Sequence, residues 1–110
     1  MNISAVRIFP FETRESGARV LAYAEIEVDG QLLVRGLRVM ESASRGLFLG
    51  FPVQRARRGS ERLVEIVVPL TREARRAVRE AVIEEFKRVS GWVPPVRPPR
   101  AAGDDPAPAI

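Results

Sequence analysis

Cysteine and histidine are both missing from this chain of 110 residues. Without them the protein can form no disulfide and has no thiolate nucleophile, no imidazole base and no zinc-finger ligand set. Carboxylates remain, but no pair of them forms a recognisable active-site pattern, and no glycine-rich loop with a following Lys-Ser/Thr could hold a phosphate. The sequence therefore predicts a protein that is not an enzyme and that uses no metal and no cofactor.

Long apolar segments are absent too. No run approaches the ~20 residues of a membrane helix, and Met1-Asn2-Ile3-Ser4 lacks the basic and then apolar order of a signal peptide. A content of 45% hydrophobic and 29% charged residues is typical of one small soluble domain. We expect a cytoplasmic protein that does not insert into a membrane.

The composition changes after residue 90. Residues 91–110 contain six of the nine prolines and few groups that could form a core, which predicts a disordered proline-rich tail behind a folded domain of residues 1–90. Trp92, at the start of the tail, has two possible positions. It either folds back over the preceding helix or contacts a partner subunit.

Hydrophobic patterning predicts an α+β fold, in which a mostly antiparallel five-stranded meander is followed by one long C-terminal helix. The clearest strand alternates from Val20 to Val28 and is followed by Asp29-Gly30, a type I′ hairpin signal. The other predicted strands are Ile3–Phe9, Gln31–Glu41, Leu47–Phe51 and Leu63–Val68. The first of them is predicted to end at Pro10 and to be followed by a polar loop over 12–17. Thr71 is the predicted cap of a helix from Arg72 to about Ser90, with an apolar stripe of Ala74, Val78, Ala81, Val82 and Val89.

One helix can cover only one face of such a sheet. We expect the other face to carry an apolar set that a second copy covers in a homodimer, because small cores are often completed by a second chain. The predicted dimer interface is Leu21, Tyr23, Leu32, Val34 and Met40. The alternative is that these side chains are single exposed hydrophobic residues, which are common on monomers.

Positive charge is concentrated in one stretch of the sequence. The net charge is +4, and 17 of the 18 basic residues are arginine, whose guanidinium group can bind phosphates bidentately. Residues 55–79 contain eight arginines and three glutamates, a net charge of +5, while the other 85 residues sum to −1. The stretch begins with a flexible basic loop over 54–60, with Arg55, Arg57 and Arg58, which suits contacts with a nucleic-acid backbone.

The predicted helix continues this charge. Arg72, Arg75, Arg76 and Arg79 project within an arc of roughly 100°, beside the apolar stripe. Their like-charge i,i+4 pairs and their place near the positive end of the helix dipole are both unfavourable, which indicates a surface that meets a polyanion. The alternative is a solvated face in an arginine-rich protein, with Arg76–Glu80 as an ordinary ion pair. Phe48 and Phe51, just upstream, are more typical of core positions than of base stacking.

Several segments of the sequence resemble one known family. They are Ile3-Ser4-Ala5-Val6-Arg7-Ile8, Ala22-Tyr23-Ala24-Glu25-Ile26 with Asp29, Gly36-Leu37-Arg38-Val39-Met40, Gly46-Leu47-Phe48-Leu49-Gly50-Phe51-Pro52 and Glu65-Ile66-Val67-Val68-Pro69-Leu70. Over about residues 3–90 the chain is similar to the stage V sporulation protein G family, the septation protein SpoVG. The Gly-Leu-Phe-x-x-x-Pro block is the most specific part.

The resemblance implies a small dimeric α+β protein that binds DNA and RNA as a bacterial regulator, with roles in septum formation and sporulation. In the family, nucleic-acid binding is associated with the basic segment after the Gly-Leu-Phe block and with the C-terminal helix. Those positions hold Arg55, Arg57 and Arg58, and then Arg72, Arg75, Arg76 and Arg79. The alternative function is a protein-interaction module that binds a septation or regulatory partner in cell division without contacting nucleic acid.

Overall fold

The computed structural model describes residues 1–15 and 17–92 of the chain. In chain order its elements are β1 (Ile3–Glu15), β2 (Ala18–Val28), β3 (Leu32–Ser42), β4 (Gly46–Gly50), β5 (Val53–Arg55), β6 (Leu63–Glu65) and α1 (Arg72–Ser90). The first four strands form an antiparallel sheet in the order β1-β2-β3-β4, and β5 and β6 form a separate two-stranded sheet. The α+β class, the meander and the C-terminal helix are confirmed, but a single sheet of five strands is wrong.

The predicted end of the first strand at Pro10 is also wrong. Strand β1 continues to Glu15, through most of the segment predicted to be a polar loop, and Pro10 pairs with Ala22. Proline fits here because β1 is an edge strand, where a missing N–H removes no required ladder bond. An irregularity in the pairing follows directly, between Pro10 and Thr13.

The predicted hairpin between β2 and β3 is confirmed. Asp29 and Gly30 both have positive φ, at 56° and 65°, and the Gln31 N–H donates to the Val28 carbonyl over 2.9 Å. These are the features of a type I′ turn, whose twist matches that of the flanking strands.

Helix α1 packs against the four-stranded sheet, and its start and end agree with the prediction. The Oγ1 atom of Thr71 accepts a hydrogen bond from the N–H of Ala74 over 3.0 Å, and Gly91 ends the helix in the left-handed conformation. The predicted stripe is partly wrong, because Val89 is exposed at the last turn and Phe86 is buried in its place. The main core consists of Ala22, Ala24, Ile26, Leu37, Val39, Leu49, Phe51, Val78, Val82 and Phe86.

A second, smaller apolar cluster is formed by Ala18, Val20 and Met40, with Tyr23 and Phe48 against it. Two bulges explain why the alternation read from the sequence does not hold along β2 and β3. Between the pairs Val20–Met40 and Ala22–Val39, β2 has one extra residue, and between Ala24–Leu37 and Ile26–Val34 the extra residue is on β3. Because one added residue reverses which face the following side chains occupy, residues predicted to share a face are separated.

None of the helices among residues 1–15 and 17–92 has the length and apolar character needed to cross a membrane. Of the predicted tail, only Gly91 and Trp92 are described, and the prediction of disorder for the remainder, 93–110, lies outside the described residues. Trp92 packs against the main core, with the Lys87 ammonium 5.9 Å from the centre of its ring. Of its two predicted positions, the structure places Trp92 back against its own domain.

Candidate nucleic-acid interface

The basic segment after β4 folds as a hydrogen-bonded hairpin rather than as the irregular loop that its composition predicted. Strands β5 and β6 pair from Val53–Glu65 to Arg55–Leu63. Beyond them the Ala56 N–H donates to the Arg62 carbonyl over 2.8 Å, and the Ser60 N–H donates to the Arg57 carbonyl over 3.0 Å. Gly59, with a φ of 79°, takes the left-handed position that this tight turn requires. The backbone of the hairpin is therefore ordered up to its tip.

Four arginines lie on this hairpin: Arg55, Arg57, Arg58 and Arg62. All four are exposed, and none has a carboxylate oxygen within 4.0 Å among residues 1–15 and 17–92. Arg62 was not among the predicted site residues, although its place directly opposite the loop arginines in a hairpin could have indicated it. The hairpin contains one acidic residue before Glu65, the exposed Glu61.

The base of the hairpin is fixed to the body of the protein. The Ile66 N–H donates to the Pro52 carbonyl over 2.8 Å, which closes the hairpin at its root. Arg38 on β3 reaches the same place, since its Nη2 atom donates to the Phe51 carbonyl over 2.6 Å and its Nη1 atom contacts Glu15. Arg38 is only 9% exposed. Gly50 makes room for it, because a Cβ atom there would lie 2.6 Å from Nη2 of Arg38.

One ion pair joins the hairpin to helix α1. Arg75 donates from Nη2 to Oε1 of Glu65 over 2.8 Å and from Nη1 to Oε2 over 3.3 Å. These hydrogen bonds hold the pKa of the Glu65 carboxyl below its usual value and raise that of Arg75, while the partial desolvation of each group acts in the opposite direction. The Arg75 guanidinium also lies 4.7 Å from the centre of the Phe51 ring.

Arg75 therefore links the helix to the hairpin, unlike Arg72, Arg76 and Arg79, the other three helix arginines predicted to contact nucleic acid. At about 100° per residue it lies in the same sector of the helix as the buried Val82. Arg72, Arg76 and Arg79 lie beside that sector and are exposed. In the part of the chain that the structure describes, none of these three is within 4.0 Å of a carboxylate, and the predicted ion pair between Arg76 and Glu80 is not formed.

We call the exposed arginines of the hairpin and helix the basic surface. It consists of Arg55, Arg57, Arg58, Arg62, Arg72, Arg76 and Arg79. The Glu65–Arg75 pair holds the root of the hairpin beside the first two turns of α1, so that both groups of arginines belong to one end of the molecule. An array of exposed guanidinium groups suits an extended anion such as a nucleic-acid backbone.

Phe48 and Phe51 pack in different apolar clusters of the protein. Phe51 is 3% exposed and belongs to the main core, so the prediction of a core position is confirmed for it. Phe48 is half-buried against the second cluster, with the Arg45 guanidinium 3.8 Å from its ring centre.

The five residues of the predicted dimer interface are not brought together. Leu21 and Val34 pack against the main core, whereas Met40 is buried in the second cluster and Tyr23 packs against it. Leu32 is exposed beside the β2–β3 turn. The prediction that these five residues share one face is therefore wrong, and the bulges of β2 and β3 are the physical reason. That they take part in a dimer interface stays a prediction.

The fold and the basic surface define the structural class of this protein. It is a small α+β domain with an antiparallel meander, one covering helix and a basic hairpin. The chain belongs to the SpoVG family, whose model matches residues 1–88. This confirms the resemblance found in the sequence.

Three relatives illustrate the match. The "Putative septation protein SpoVG" of Borreliella burgdorferi (strain ZS7) is 30% identical over 88 residues, which are 80% of this chain and 88% of that protein. The protein of the same name in Archaeoglobus fulgidus is 33% identical over 85 residues, 77% of this chain and 93% of that one. "Putative septation protein SpoVG 2" of Listeria monocytogenes is 32% identical over 89 residues, 81% of each chain.

Proposed function

We propose that the chain is a cytoplasmic, non-catalytic regulator that binds DNA or RNA through the basic surface. One observation carries the proposal: seven of the eight arginines between residues 55 and 79 have no carboxylate partner among the described residues, although the chain contains nearly as many acidic as basic groups. Unpaired cations at one end of a molecule repel one another, and bound phosphates relieve that repulsion. The names of its relatives support a role in septation, and the family resemblance extends that proposal to sporulation.

The binding mode follows from the chemistry of the surface. Guanidinium groups on a short hairpin and on one side of a helix can follow a phosphate backbone. Phe51, whose ring lies against Arg75 at the root of the hairpin, is only 3% exposed and so offers no platform for base stacking. We therefore propose that phosphate contacts dominate and that sequence preference is weak. The logarithm of affinity then falls linearly with the logarithm of salt concentration, with a slope of about −0.9 per phosphate neutralised on duplex DNA.

The test is a titration of fluorescent random duplex DNA, single-stranded DNA and RNA with the full chain over a range of salt concentrations. Arg76→Ala combined with Arg79→Ala should weaken binding on the order of 10- to 100-fold and flatten the salt slope by about 2. The matched control is Arg14→Ala with Arg45→Ala, which removes the same charge from exposed arginines outside the basic surface. Absence of binding to all three nucleic acids at low salt would contradict the proposal.

A second proposal concerns protein contacts and rests on a different observation. The segment between β6 and α1 exposes three apolar side chains at alternate positions, Ile66, Val68 and Leu70, with Leu70 being 93% exposed. We propose that a second copy covers this segment in a symmetric homodimer, since identical apolar segments can face each other across a two-fold axis. A septation role, which the names of the relatives support, is also compatible with a different partner protein at this segment.

Size-exclusion chromatography with light scattering tests the homodimer. Leu70→Asp should convert a dimer to a monomer, whereas Leu32→Asp, on the exposed β2–β3 end, should leave it intact. If Leu32→Asp dissociates the dimer and Leu70→Asp does not, the interface predicted from the sequence is favoured. A wild-type monomer at high concentration would contradict the homodimer and favour a heterologous septation partner at this segment.

A further inference from the structure

A groove lies at the end of the molecule opposite the basic surface, between the irregular part of β1 and the last turns of α1. Its volume is about 500 Å³. Leu21 and the buried Phe86 provide apolar atoms to it, and Phe11 and Trp92 line it with aromatic rings. The irregular pairing after Pro10 places Phe11 next to the groove, where its side chain stays 57% exposed.

The lining of this groove combines aromatic rings with an accessible carboxylate. Glu12 accepts one hydrogen bond from Arg19 over 2.9 Å, yet its side chain is 62% exposed, which leaves acceptor positions for a further donor. Grooves lined by aromatic side chains bind proline-rich segments, because proline rings stack on them and the extended backbone is already restricted before binding. A carboxylate at the edge adds a preference for arginine in the ligand.

The chain itself carries such a segment directly after the groove. Trp92 lines the groove and is followed in the sequence by Val93-Pro94-Pro95-Val96-Arg97-Pro98-Pro99-Arg100. Eight residues in the polyproline II conformation would extend over roughly 25 Å, so the segment is long enough to cross a groove that is lined by the residue directly before it, Trp92. We infer that the groove is a binding site for residues 93–100 of the same molecule, with Arg97 or Arg100 donating to Glu12.

Binding within one molecule fits the chemistry of this site better than capture of a free peptide. A ligand attached through Trp92 has an effective concentration in the millimolar range, so that even weak contacts with two aromatic rings and one carboxylate fill the groove. The segment carries two arginines and no acidic residue, so one of them can donate to the exposed Glu12 carboxylate, while Arg19, which also lines the groove, is paired with Glu12 and Glu41. The inference does not depend on nucleic-acid binding, because the groove and the basic surface lie at opposite ends of α1.

Trp92 is the only tryptophan of the chain and reports on the groove directly. The experiment compares acrylamide quenching of Trp92 fluorescence in the full wild-type chain and in a full-length variant with Pro94→Ser, Pro95→Ser, Pro98→Ser and Pro99→Ser. The quenching constant should at least double in the variant, with a red-shifted emission maximum, because the segment no longer covers the indole. Equal quenching in the two proteins would overturn the inference.

The groove side is tested by a matched pair of variants on the same strand. Phe9 and Phe11 are both exposed on β1, but only Phe11 lines the groove. Phe11→Ser should increase quenching as the proline variant does, and Phe9→Ser should leave it at the wild-type value. Equal effects of both would overturn the inference.

Nuclear Overhauser effects in the unsubstituted protein supply a measurement that does not depend on how any variant folds. Contacts between the ring protons of Phe11 and those of the tail prolines are expected. Their absence would overturn the inference, as would signals that weaken on dilution, because these would come from the tail of a second copy.

Discussion

The arginines of the four-stranded sheet and those of the basic surface have opposite surroundings. Four of the five arginines on the sheet strands contact a carboxylate, and the register places Arg7 opposite Glu25 and Arg19 opposite Glu41. Arg14, opposite Arg19, is the exception within the described residues. In the hairpin, Arg55 lies opposite Leu63. Cross-strand pairs of opposite charge stabilise a sheet, so the sheet uses its arginines for folding, and the hairpin leaves its arginines available for binding.

Removal of the four hairpin charges should have the strongest effect on nucleic-acid binding. Arg55, Arg57, Arg58 and Arg62 replaced together by alanine should weaken binding to random duplex DNA by roughly 10³-fold at low salt, because each lost phosphate contact also loses its counterion release. Fluorescence anisotropy at several salt concentrations measures this.

The matched control is Arg7, Arg14, Arg35 and Arg45 replaced by alanine, which changes the net charge by the same amount. Its affinity should fall far less. If both quadruple variants lose affinity equally, total charge rather than the basic surface determines binding.

Arg38 and Arg35 on β3 are a buried and an exposed arginine of the same strand, and their contributions to stability should differ. Arg38→Met leaves the Glu15 carboxylate and the Phe51 carbonyl without their buried donor, and we expect a loss of about 2–4 kcal/mol in the free energy of unfolding. Arg35→Met removes an ion pair whose arginine is well exposed, and should cost less than about 1 kcal/mol. Urea unfolding compares them, and equal losses would show that burial of Arg38 does not matter.

Arg75 is the helix arginine of the predicted site that forms an ion pair, as Arg7 and Arg19 do in the sheet, and Glu65→Gln should remove that pair. Without the carboxylate, Arg75 becomes available to phosphates, and affinity for duplex DNA should rise several-fold. Glu61→Gln is the control, since it removes the same charge from the hairpin without releasing an arginine. A gain no larger for Glu65→Gln than for Glu61→Gln would contradict a masking role.

The smallest expected effect is the pH dependence of the same ion pair. Arg75 lowers the pKa of Glu65 in the folded state, so the pair contributes stability above the unfolded glutamate value of about 4.3, and this contribution is lost as pH falls through the lower folded value. The difference in stability between wild type and Glu65→Gln should therefore shrink below about pH 4. A difference that stays constant down to acid unfolding would contradict the linkage.

Local patterns determined much of the fold in advance. Helix α1 was predictable because Thr71 caps it and Gly91 ends it, and the β2–β3 hairpin was predictable because Asp29-Gly30 accepts positive φ. Both signals act over a few residues, where the chemistry of the side chain restricts the backbone directly. The charged stretch over 55–79 was likewise visible in the sequence, because charge depends on composition alone.

The face of the sheet that each side chain occupies could not be predicted in the same way. Leu21 and Tyr23 are two residues apart, and alternation assigns them to one face, yet they pack against different clusters. A bulge is a property of the pairing between two strands, and its single extra residue reverses the facing of every side chain that follows. The extension of β1 past Pro10 has the same origin, since only the sheet order makes β1 an edge strand.

The amino-acid sequence is sufficient to predict the fold class, the helix, the central turn, the absence of cysteine and histidine chemistry, and the location of the excess charge, because each depends on composition or on neighbouring residues. Tertiary structure alone decided which arginines are neutralised. Arg75 meets Glu65 from another element, and Arg38 meets Glu15 and the Phe51 carbonyl, whereas Arg76 and Arg79 meet no carboxylate in the described part of the chain. Ion pairing depends on distances of a few ångströms between segments far apart in sequence, and only the folded chain sets those distances.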